Sequence, residues 1–445
     1  MAETPEPTPE DPSQHLANRL DDIPAADGAT VMRRMTTEKA ADLAEYLDPN
    51  TAGDILSEMD PVHAASVIAG MEPEEASMVL SAMDPDDRVD VLQRLPKDLH
   101  DRLVGHMPAD DKAEVHSLEQ YPRDTAGGIM TTEVTSLLER YTIEEAVAEL
   151  RRLSEQLEQM FYVYVVDARR HLVGVLSMRD LILAKPDKRL HEIMRHDVYA
   201  VPATMDQEEV ARRMRKYNYL ALPVIDDKNR LLGLITVDDV VDVLEEEATE
   251  DIHKLFGVGI EERLTSPWHY SYRTRVIWLI VNLGTAFLAA GVVAGFQDTI
   301  AALPILAAYQ TIVSGMGGNA SAQAMAVSIR GIALGEVDRS MLKRILIRET
   351  IVGFLAGVTI GIITWAIAAT FHHSEHGVAL GFVIFLALVF NHINACVTGV
   401  AIPFIMKRLG FDPAQSATIF ATTFTDCGGF FATLGLAKLL MHYLV

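Results

Sequence analysis

This 445-residue chain has few cysteines and fewer basic than acidic residues. The only two cysteines, Cys396 and Cys427, lie in apolar runs, which excludes a disulfide framework. There are 38 Lys and Arg residues against 62 Asp and Glu residues, a formal net charge of −24, which argues against nucleic-acid binding through a basic face. The first ten residues are acidic and rich in proline, so no cleavable signal peptide is predicted there.

The charge that is present is divided unevenly along the chain. Residues 1–273 hold 29 basic and 55 acidic residues, whereas residues 274–445 hold only 9 and 7. This last third contains five apolar stretches long enough for a membrane-spanning helix, which needs about 20 residues. They are 276–297, 302–335, 350–371, 378–406 and 414–443. The sequence therefore predicts several acidic domains followed by an all-α transmembrane domain with five helices at 274–445.

Basic residues between the apolar stretches predict the orientation in the membrane. Those between the second and third stretches, and between the fourth and fifth, are Arg339, Lys343, Arg344, Arg348, Lys407 and Arg408. Loops rich in Lys and Arg stay in the cytoplasm. With five spans, this predicts a multi-pass protein of the cell membrane with its N-terminal part in the cytoplasm and Val445 outside.

A single acid stands deep inside the fifth stretch. Asp426 is the only charged residue between Asp412 and Lys438, about 21 Å along a helix from Asp412 and therefore near mid-membrane. A carboxylate there is costly unless it faces water, a cation or a hydrogen-bond partner. A structural hydrogen bond and a metal or proton site both remain open, and the hydroxyl of Thr422 is one nearby oxygen.

Residues 43–108 contain an internal repeat. Leu or Met followed by an acid and proline recurs every 12 residues, at 47–49, 59–61, 71–73 and 83–85. The acid can cap free N–H groups, and proline suits the first helical position. The repeat predicts helices of about nine residues that share a core with their neighbours. Residues 21–121 are thus predicted to be an all-α helical-repeat domain, preceded by a disordered tail at 1–20.

The pattern changes after Pro122, where two segments of similar order follow each other. Strands at 161–167 and 171–177 precede a helix, and strands at 220–226 and 230–236 precede another. Residues 122–244 resemble a tandem pair of CBS domains, α/β regulatory modules that often bind adenine nucleotides. The resemblance rests on the family's ribose and phosphate pattern, Gly-x-x-Ser/Thr-x-x-Asp. It implies ATP as a candidate ligand of Ser177, Asp180, Thr236 and Asp239.

The segment that follows is strongly acidic. Residues 238–251 hold eight carboxylates, and like charges repel along a helix. A hard divalent cation that bridges carboxylates would draw them together. Residues 245–273 are predicted to contain a helix that connects the cytoplasmic part to the membrane, with a solvated charged linker as the alternative.

Along almost its full length the chain resembles the MgtE family of magnesium channels and transporters. The most specific segments are 124–131, 247–252, Gly317-Gly318-Asn319, and Asp412-Pro413-Ala414 with Asp426 fourteen residues further on. The resemblance implies a homodimer embedded in membrane lipid, without enzymatic activity. It also implies a pore between the subunits, lined chiefly by the second and fifth spans.

The resemblance also implies roles for single residues. Asp426 matches a selectivity carboxylate that holds hydrated Mg²⁺, and Asp412 matches an acid at the cytoplasmic mouth of the pore. The residues placed along the pore are Gly317, Gly318, Asn319 and Thr422. The acids of the connecting, or plug, helix that join Asp412 in a closed-state Mg²⁺ site are Glu247, Glu250 and Asp251. The acids of the CBS-side sensor sites are Asp206, Glu208, Asp239 and Asp242.

The predicted function is a Mg²⁺-selective channel or transporter that is gated by cytosolic Mg²⁺ on its acidic N-terminal and CBS domains. Mg²⁺ would be both the transported and the regulatory ion. The alternative is a proton-coupled divalent-metal carrier that uses Asp426 as its relay. A soluble enzyme regulated by CBS domains is disfavoured by the five apolar stretches.

Overall fold

A computed structural model describes residues 16–17, 19–153, 162–259, 262–264, 266–337, 340–371, 375–415 and 417–444. The chain divides into two compact units, Met1–Leu244 and Glu245–Val445. Of the predicted tail at 1–20, residues 1–15 and 18 lie outside the described residues. Ala17 and Leu20, near the end of that tail, are buried in the core of the first unit.

The repeat region of the first unit consists of short helices. They are α1 (Ala25–Met32), α2 (Thr37–Tyr46), α3 (Pro49–Ser57), α4 (Pro61–Ile68), α5 (Pro73–Ala82), α6 (Pro85–Leu92), α7 (Lys97–His106) and α8 (Ala109–Leu118). Each helix from α1 to α6 packs against the helix two positions further along the chain, which produces two rows over one core. The helices that begin at an acid–proline pair are 8–10 residues long, close to the predicted nine.

The acid before each proline caps its helix only in part of the repeat. Asp48 accepts a hydrogen bond from the backbone N–H of Asn50 at 3.0 Å, and Asp60 accepts one from Val62 at 3.0 Å. Glu72 makes no capping hydrogen bond at the start of its helix, and neither does Asp84. Proline at the first position, which lacks the N–H that would need a cap, is therefore the feature that all four starts share.

The described residues of the first unit also form two three-stranded sheets. The strands are β1 (Ser136–Leu138), β2 (Tyr162–Val166), β3 (Leu172–Ser177), β4 (Val201–Pro202), β5 (Ala221–Ile225) and β6 (Leu231–Thr236). The strand orders are β1-β2-β3 and β4-β5-β6, with the first pair of each sheet parallel and the second antiparallel. The accompanying helices are α9 (Ile143–Leu153), α10 (Met178–Leu183), α11 (Leu190–Ile193) and α12 (Gln207–Tyr217). This repeated α/β order confirms the tandem pair.

One long helix, α13 (Val237–Leu255), runs through the boundary between the two units. The second unit continues with α14 (Trp268–Ala294), α15 (Gln297–Ala302), α16 (Leu306–Ala333), α17 (Leu342–Phe371), α18 (Glu375–Leu409), α19 (Ala417–Leu439) and α20 (Met441–Leu444). It is an all-helical region, as predicted.

Among the described residues, four helices are long and apolar enough to cross a membrane, namely α14, α17, α18 and α19. The second predicted span is the 28-residue helix α16, but it is less apolar because it carries polar residues such as Gln310, Ser314 and Asn319. The predicted number of five spans is therefore not confirmed.

Helices α16, α18 and α19 pack against one another, and α17 packs along α18. Three glycines of α17 face α18 at four-residue spacing. A Cβ atom would lie 2.6 Å from the carbonyl oxygen of His392 at Gly353, and 2.7 Å from Val389 Cα at Gly357. Small residues at this spacing let two backbones approach closely in lipid.

Candidate cation pathway

Asp426 lies on α19, fourteen residues after Asp412, and is partly exposed. Its Oδ1 accepts a hydrogen bond from Ser314 Oγ of α16 at 2.5 Å. The acid near mid-helix is thus held by a hydroxyl from the other helix that was predicted to line the pore. A hydroxyl donor satisfies part of a carboxylate without neutralising its charge, so Asp426 can still attract a cation.

The residues predicted along the pore differ in what they face. Asn319 is exposed on α16. Gly318 is partly exposed, and among the described residues no other part of the protein lies within 4 Å of where its Cβ would stand. Gly317 is buried instead, and a Cβ there would lie 2.2 Å from Nδ2 of Asn391 on α18. Thr422 is partly exposed, but its hydroxyl donates to the carbonyl oxygen of Thr418 on its own helix at 2.9 Å.

Asp412, the acid predicted at the mouth of the pore, contacts the C-terminal end of α13. Its Oδ2 lies 2.6 Å from Nζ of Lys254, which also pairs with Glu250 one turn earlier on α13. Next to this ion pair, Thr418 Oγ1 donates to the carbonyl oxygen of Leu255 at 2.7 Å. One ammonium group therefore stands between two of the acids predicted to share a Mg²⁺ ion.

Lys254 is a residue that the sequence reasoning missed. The acid-rich pattern of residues 238–251 predicted a cation site made of carboxylates, and Lys254 lies three residues after that segment. Glu247, Glu250 and Asp251 are all partly buried on successive turns of α13.

Three of the predicted CBS-side sensor acids have local roles or lie exposed. Asp206 accepts from the backbone N–H of Glu208 at 2.9 Å and caps α12. Glu208 forms an ion pair with Arg212 at 3.3 Å. Asp242 is exposed on α13.

The fourth, Asp239, belongs to a cluster of acids within the first unit. Burial, followed by the nearby charge of Asp239, raises the pKa of Asp86 well above its ordinary value. Burial likewise raises the pKa of Asp87 to about 7 and that of Asp239 to about 6. One oxygen of Asp86 is buried without a hydrogen-bond partner among the described residues. Asp86 and Asp87 of α6 therefore lie close enough to Asp239, at the start of α13, for their charges to interact.

Sequence reasoning did not single out Asp86 and Asp87. The signal was present, because two further acids follow Asp84-Pro85 directly. A pair of acids in the first turn of a helix is common, however, since acids interact favourably with the helix N-terminus. Only their position relative to Asp239 makes them unusual.

The candidate nucleotide residues form two matching capping arrangements. Ser177 Oγ donates to Asp180 Oδ2 at 2.7 Å, and Thr236 Oγ1 donates to Asp239 Oδ2 at 2.5 Å. These bonds connect the end of β3 to α10 and the end of β6 to α13. Across the described residues, no group of three or more His, Cys, Asp or Glu side chains is arranged to hold a metal ion.

Comparison with known proteins agrees with this arrangement of domains. Family models match residues 23–124 (MgtE intracellular N domain), 126–187 and 190–246 (CBS domain), and 310–436 (MgtE, divalent cation transporter). A protein of Thermus thermophilus named magnesium transporter MgtE is 38% identical over 343 residues, which cover 77% of this chain and 75% of the relative. This chain belongs to the MgtE family. The predicted resemblance is thereby confirmed. The relatives are named as transporters, a function that is not enzymatic, as predicted.

Other MgtE proteins are similar to this chain over comparable lengths. A magnesium transporter MgtE of Enterococcus faecalis is 34% identical over 337 residues, 76% of this chain and 74% of the relative. A crystal structure described as the cytosolic domain of the Mg²⁺ channel MgtE in complex with ATP is 37% identical. It matches with a TM-score of 0.50 and covers 52% of this chain and 94% of that one.

Proposed function

We propose that this protein is a homodimeric, Mg²⁺-selective channel of the cell membrane in which Asp426 forms the selectivity site. The observation that carries this proposal is the contact of Asp426 with Ser314, which joins α19 to α16 at a partly exposed carboxylate. Mg²⁺ gives up its water reluctantly and is commonly held by one or two carboxylates. A single acid from each subunit suits a hydrated Mg²⁺ ion, and the relatives named as magnesium transporters support the choice of ion.

The proposed membrane arrangement adds α16, as the second of five spans, to the four apolar helices α14, α17, α18 and α19. Basic residues lie at three helix ends that five spans would place together in the cytoplasm. They are Arg330 near the end of α16, Lys343 and Arg344 at the start of α17, and Lys407 and Arg408 at the end of α18. The arrangement puts the N-terminus in the cytoplasm and the C-terminus outside. The polar side chains of α16 are acceptable in a membrane where they line a water-filled pore.

Closure of the pore is proposed to depend on α13. Its end already contacts the pore mouth through Lys254 to Asp412 and through Leu255 to Thr418. Mg²⁺ at Asp412, Glu247, Glu250 and Asp251 would hold α13 at the mouth in the same place. The ion can favour the closed arrangement only by binding to it more tightly than to the open one.

Sensing of cytosolic Mg²⁺ is proposed to take place at the acids of the first unit. The raised pKa values of Asp86, Asp87 and Asp239 indicate that these carboxylates are poorly solvated and that the charge of Asp239 opposes those of Asp86 and Asp87. A divalent cation would remove that repulsion and stabilise the approach of Asp86 and Asp87 to Asp239. Asp206, Glu208 and Asp242 are proposed as further acids of this sensing surface.

ATP is proposed as a second ligand of the first unit. The proposal rests on the two Gly-x-x-Ser/Thr-x-x-Asp segments and on the related cytosolic domain described in complex with ATP. Calorimetric titration of the purified protein with millimolar ATP tests it. Absence of heat, together with an unchanged melting temperature, would overturn it.

Permeation is tested by Mg²⁺ flux into liposomes that contain purified protein. We expect Asp426→Ala to abolish or greatly reduce flux while the protein stays folded, because no other acid lies deep in α19. Asp298→Ala removes an exposed acid of the short helix α15 and serves as the matched control. Near-normal flux with unchanged ion selectivity in Asp426→Ala would overturn the assignment.

The same liposomes separate the channel from a proton-coupled carrier. A channel gives a Mg²⁺ current that reverses at the Mg²⁺ equilibrium potential. Proton uptake that follows the metal gradient would instead establish the carrier, with Asp426 as the relay.

Gating is tested by varying Mg²⁺ on the cytoplasmic side. Neutralising Glu247, Glu250 and Asp251 together should weaken inhibition by Mg²⁺ without removing the flux that depends on Asp426. Protease cleavage of the cytoplasmic linkers should decrease when millimolar Mg²⁺ is added to the wild type. Equal cleavage with and without Mg²⁺, alongside unchanged inhibition in the triple variant, would refute the gating proposal.

A further inference from the structure

Two asparagines stand inside α18, a helix that is otherwise among the most apolar of the protein. Asn391 is fully buried, and Asn394, three residues later on the same face, is partly exposed. A lipid bilayer offers no water to pair with such groups, so a polar side chain in this position needs a partner from the protein. Neither residue belongs to the helices that were predicted to line the pore.

Both asparagines donate to the backbone of the two helices that carry the Asp426 contact. Asn391 Nδ2 donates to the carbonyl oxygen of Val313 on α16 at 2.9 Å. Asn394 Nδ2 donates to the carbonyl oxygen of Phe424 on α19 at 2.9 Å. Val313 immediately precedes Ser314, and Phe424 is two residues before Asp426. The two amides thus hold the backbone on each side of the Ser314–Asp426 hydrogen bond.

A glycine makes room for the amide in both places. In a helix the residue four positions after a carbonyl covers it, so a side chain there would block an incoming donor. At that position stand Gly317 for Val313 and Gly428 for Phe424. A Cβ would lie 2.2 Å from Asn391 Nδ2 at Gly317 and 2.6 Å from Asn394 Nδ2 at Gly428. The same arrangement of amide, carbonyl and glycine therefore occurs once on each pore helix.

Packing alone does not account for Asn391. Its Oδ1 is buried and has no hydrogen-bond partner among the described residues. An unpaired buried acceptor costs about 1–3 kcal/mol. A leucine has the same branched shape without this cost, so what asparagine supplies at residue 391 is its N–H donor.

We propose that Asn391 and Asn394 are positioning residues for permeation, an inference that rests on the proposed function of Asp426. By fixing α16 and α19 relative to α18, they hold the Asp426 carboxylate at one distance from the ion. Mg²⁺ demands a nearly fixed octahedral shell, whereas Ca²⁺ accepts longer and more variable distances. A rigid site therefore favours Mg²⁺, and a loosened one admits Ca²⁺.

The test compares Mg²⁺ and Ca²⁺ flux into liposomes for the full-length protein. The variants are Asn391→Leu and Asn394→Leu, which keep the branched shape of the side chain and remove the donor. Asn282→Leu removes an exposed asparagine from α14 and is the matched control. We expect the ratio of Mg²⁺ to Ca²⁺ flux to fall about tenfold in both test variants, as a change of about 1.4 kcal/mol in relative barriers gives, and to stay at the wild-type value in the control.

A purely structural role would lower both fluxes together and leave their ratio unchanged, and that result in correctly folded variants would overturn the proposal. A wild type that passes Ca²⁺ as readily as Mg²⁺ would overturn it as well. If Asn391→Leu does not fold, Asn394→Leu decides, because its side chain is only partly buried. Asp426→Ala separates a failure of the proposed function from a failure of this inference, because flux retained in that variant refutes the proposed function itself. Loss of flux there, with unchanged ratios in the asparagine variants, refutes only this inference.

Discussion

Gly317 and Gly318 are neighbours on α16, yet we expect alanine to lower the stability of the protein at Gly317 only. A Cβ at Gly317 would lie 2.2 Å from Asn391 Nδ2 and 3.0 Å from its Cγ. At Gly318 the described part of the chain, outside the helix's own neighbouring backbone, has no heavy atom within 4 Å of the new methyl group. Side-chain carbons rarely approach closer than about 3.4 Å, so Gly317→Ala must displace the buried amide by about 1 Å.

The size of the effect follows from the contacts that this displacement disturbs. Overpacking a tight site costs about 1–3 kcal/mol. Loss of the hydrogen bond from Asn391 to Val313 adds about 1 kcal/mol. The higher helix propensity of alanine returns about 1 kcal/mol in both variants. We therefore expect Gly317→Ala to lower the free energy of unfolding by about 1–3 kcal/mol, whereas Gly318→Ala leaves it unchanged or slightly raised.

The measurement is the thermal unfolding midpoint of the purified protein in detergent, followed by tryptophan fluorescence at one scan rate, since membrane proteins often unfold irreversibly. Gly318→Ala is the matched control, with the same chemical change one residue away. A shift of several degrees downwards is expected for Gly317→Ala alone. An unchanged midpoint in Gly317→Ala, or an equal decrease in both variants, would refute the reasoning.

Three further predictions follow from single contacts. Gly357→Ala should lower the same unfolding midpoint, because its Cβ would lie 2.7 Å from a backbone carbon of α18. An unchanged midpoint would contradict the close packing of α17 on α18. Lys254→Met should raise Mg²⁺ flux several-fold when cytoplasmic Mg²⁺ is absent, because the variant loses the ion pair with Asp412. A partly exposed ion pair contributes about 1 kcal/mol. Flux equal to wild type would show that this pair does not hold the pore closed. Burial raises the pKa of Asp87 to about 7, so its protonated form stabilises the fold at low pH and that contribution is lost as the pH rises through about 7. The metal-free protein should then melt higher at about pH 5.5 than at about pH 8, and a difference that does not shrink in Asp87→Asn would contradict this origin.

The local structure could be predicted well wherever neighbouring residues carry the signal. The acid–proline repeat predicted helices close to their observed length, and the repeated strand–strand–helix order predicted the tandem α/β pair. Asp426 could also be singled out, because one acid in a long apolar stretch is conspicuous without any partner. The count of five spans is not confirmed, since the polar residues that make α16 a candidate pore helix also lower its apolarity.

The contacts that define the site could not be predicted in the same way. Lys254 reaches Asp412 across 158 positions of the chain, and nothing local marks this lysine as the partner of that acid. Asp86 and Asp239 are likewise distant in sequence, and their charges interact only because the fold brings the two acids near each other. Gly317 illustrates the limit: its sequence motif suggested a pore wall, whereas packing turns it towards Asn391. Helices and strands form from interactions between near neighbours, which a linear pattern records. A binding site forms where separate elements meet, and that depends on how their side chains fill a shared volume.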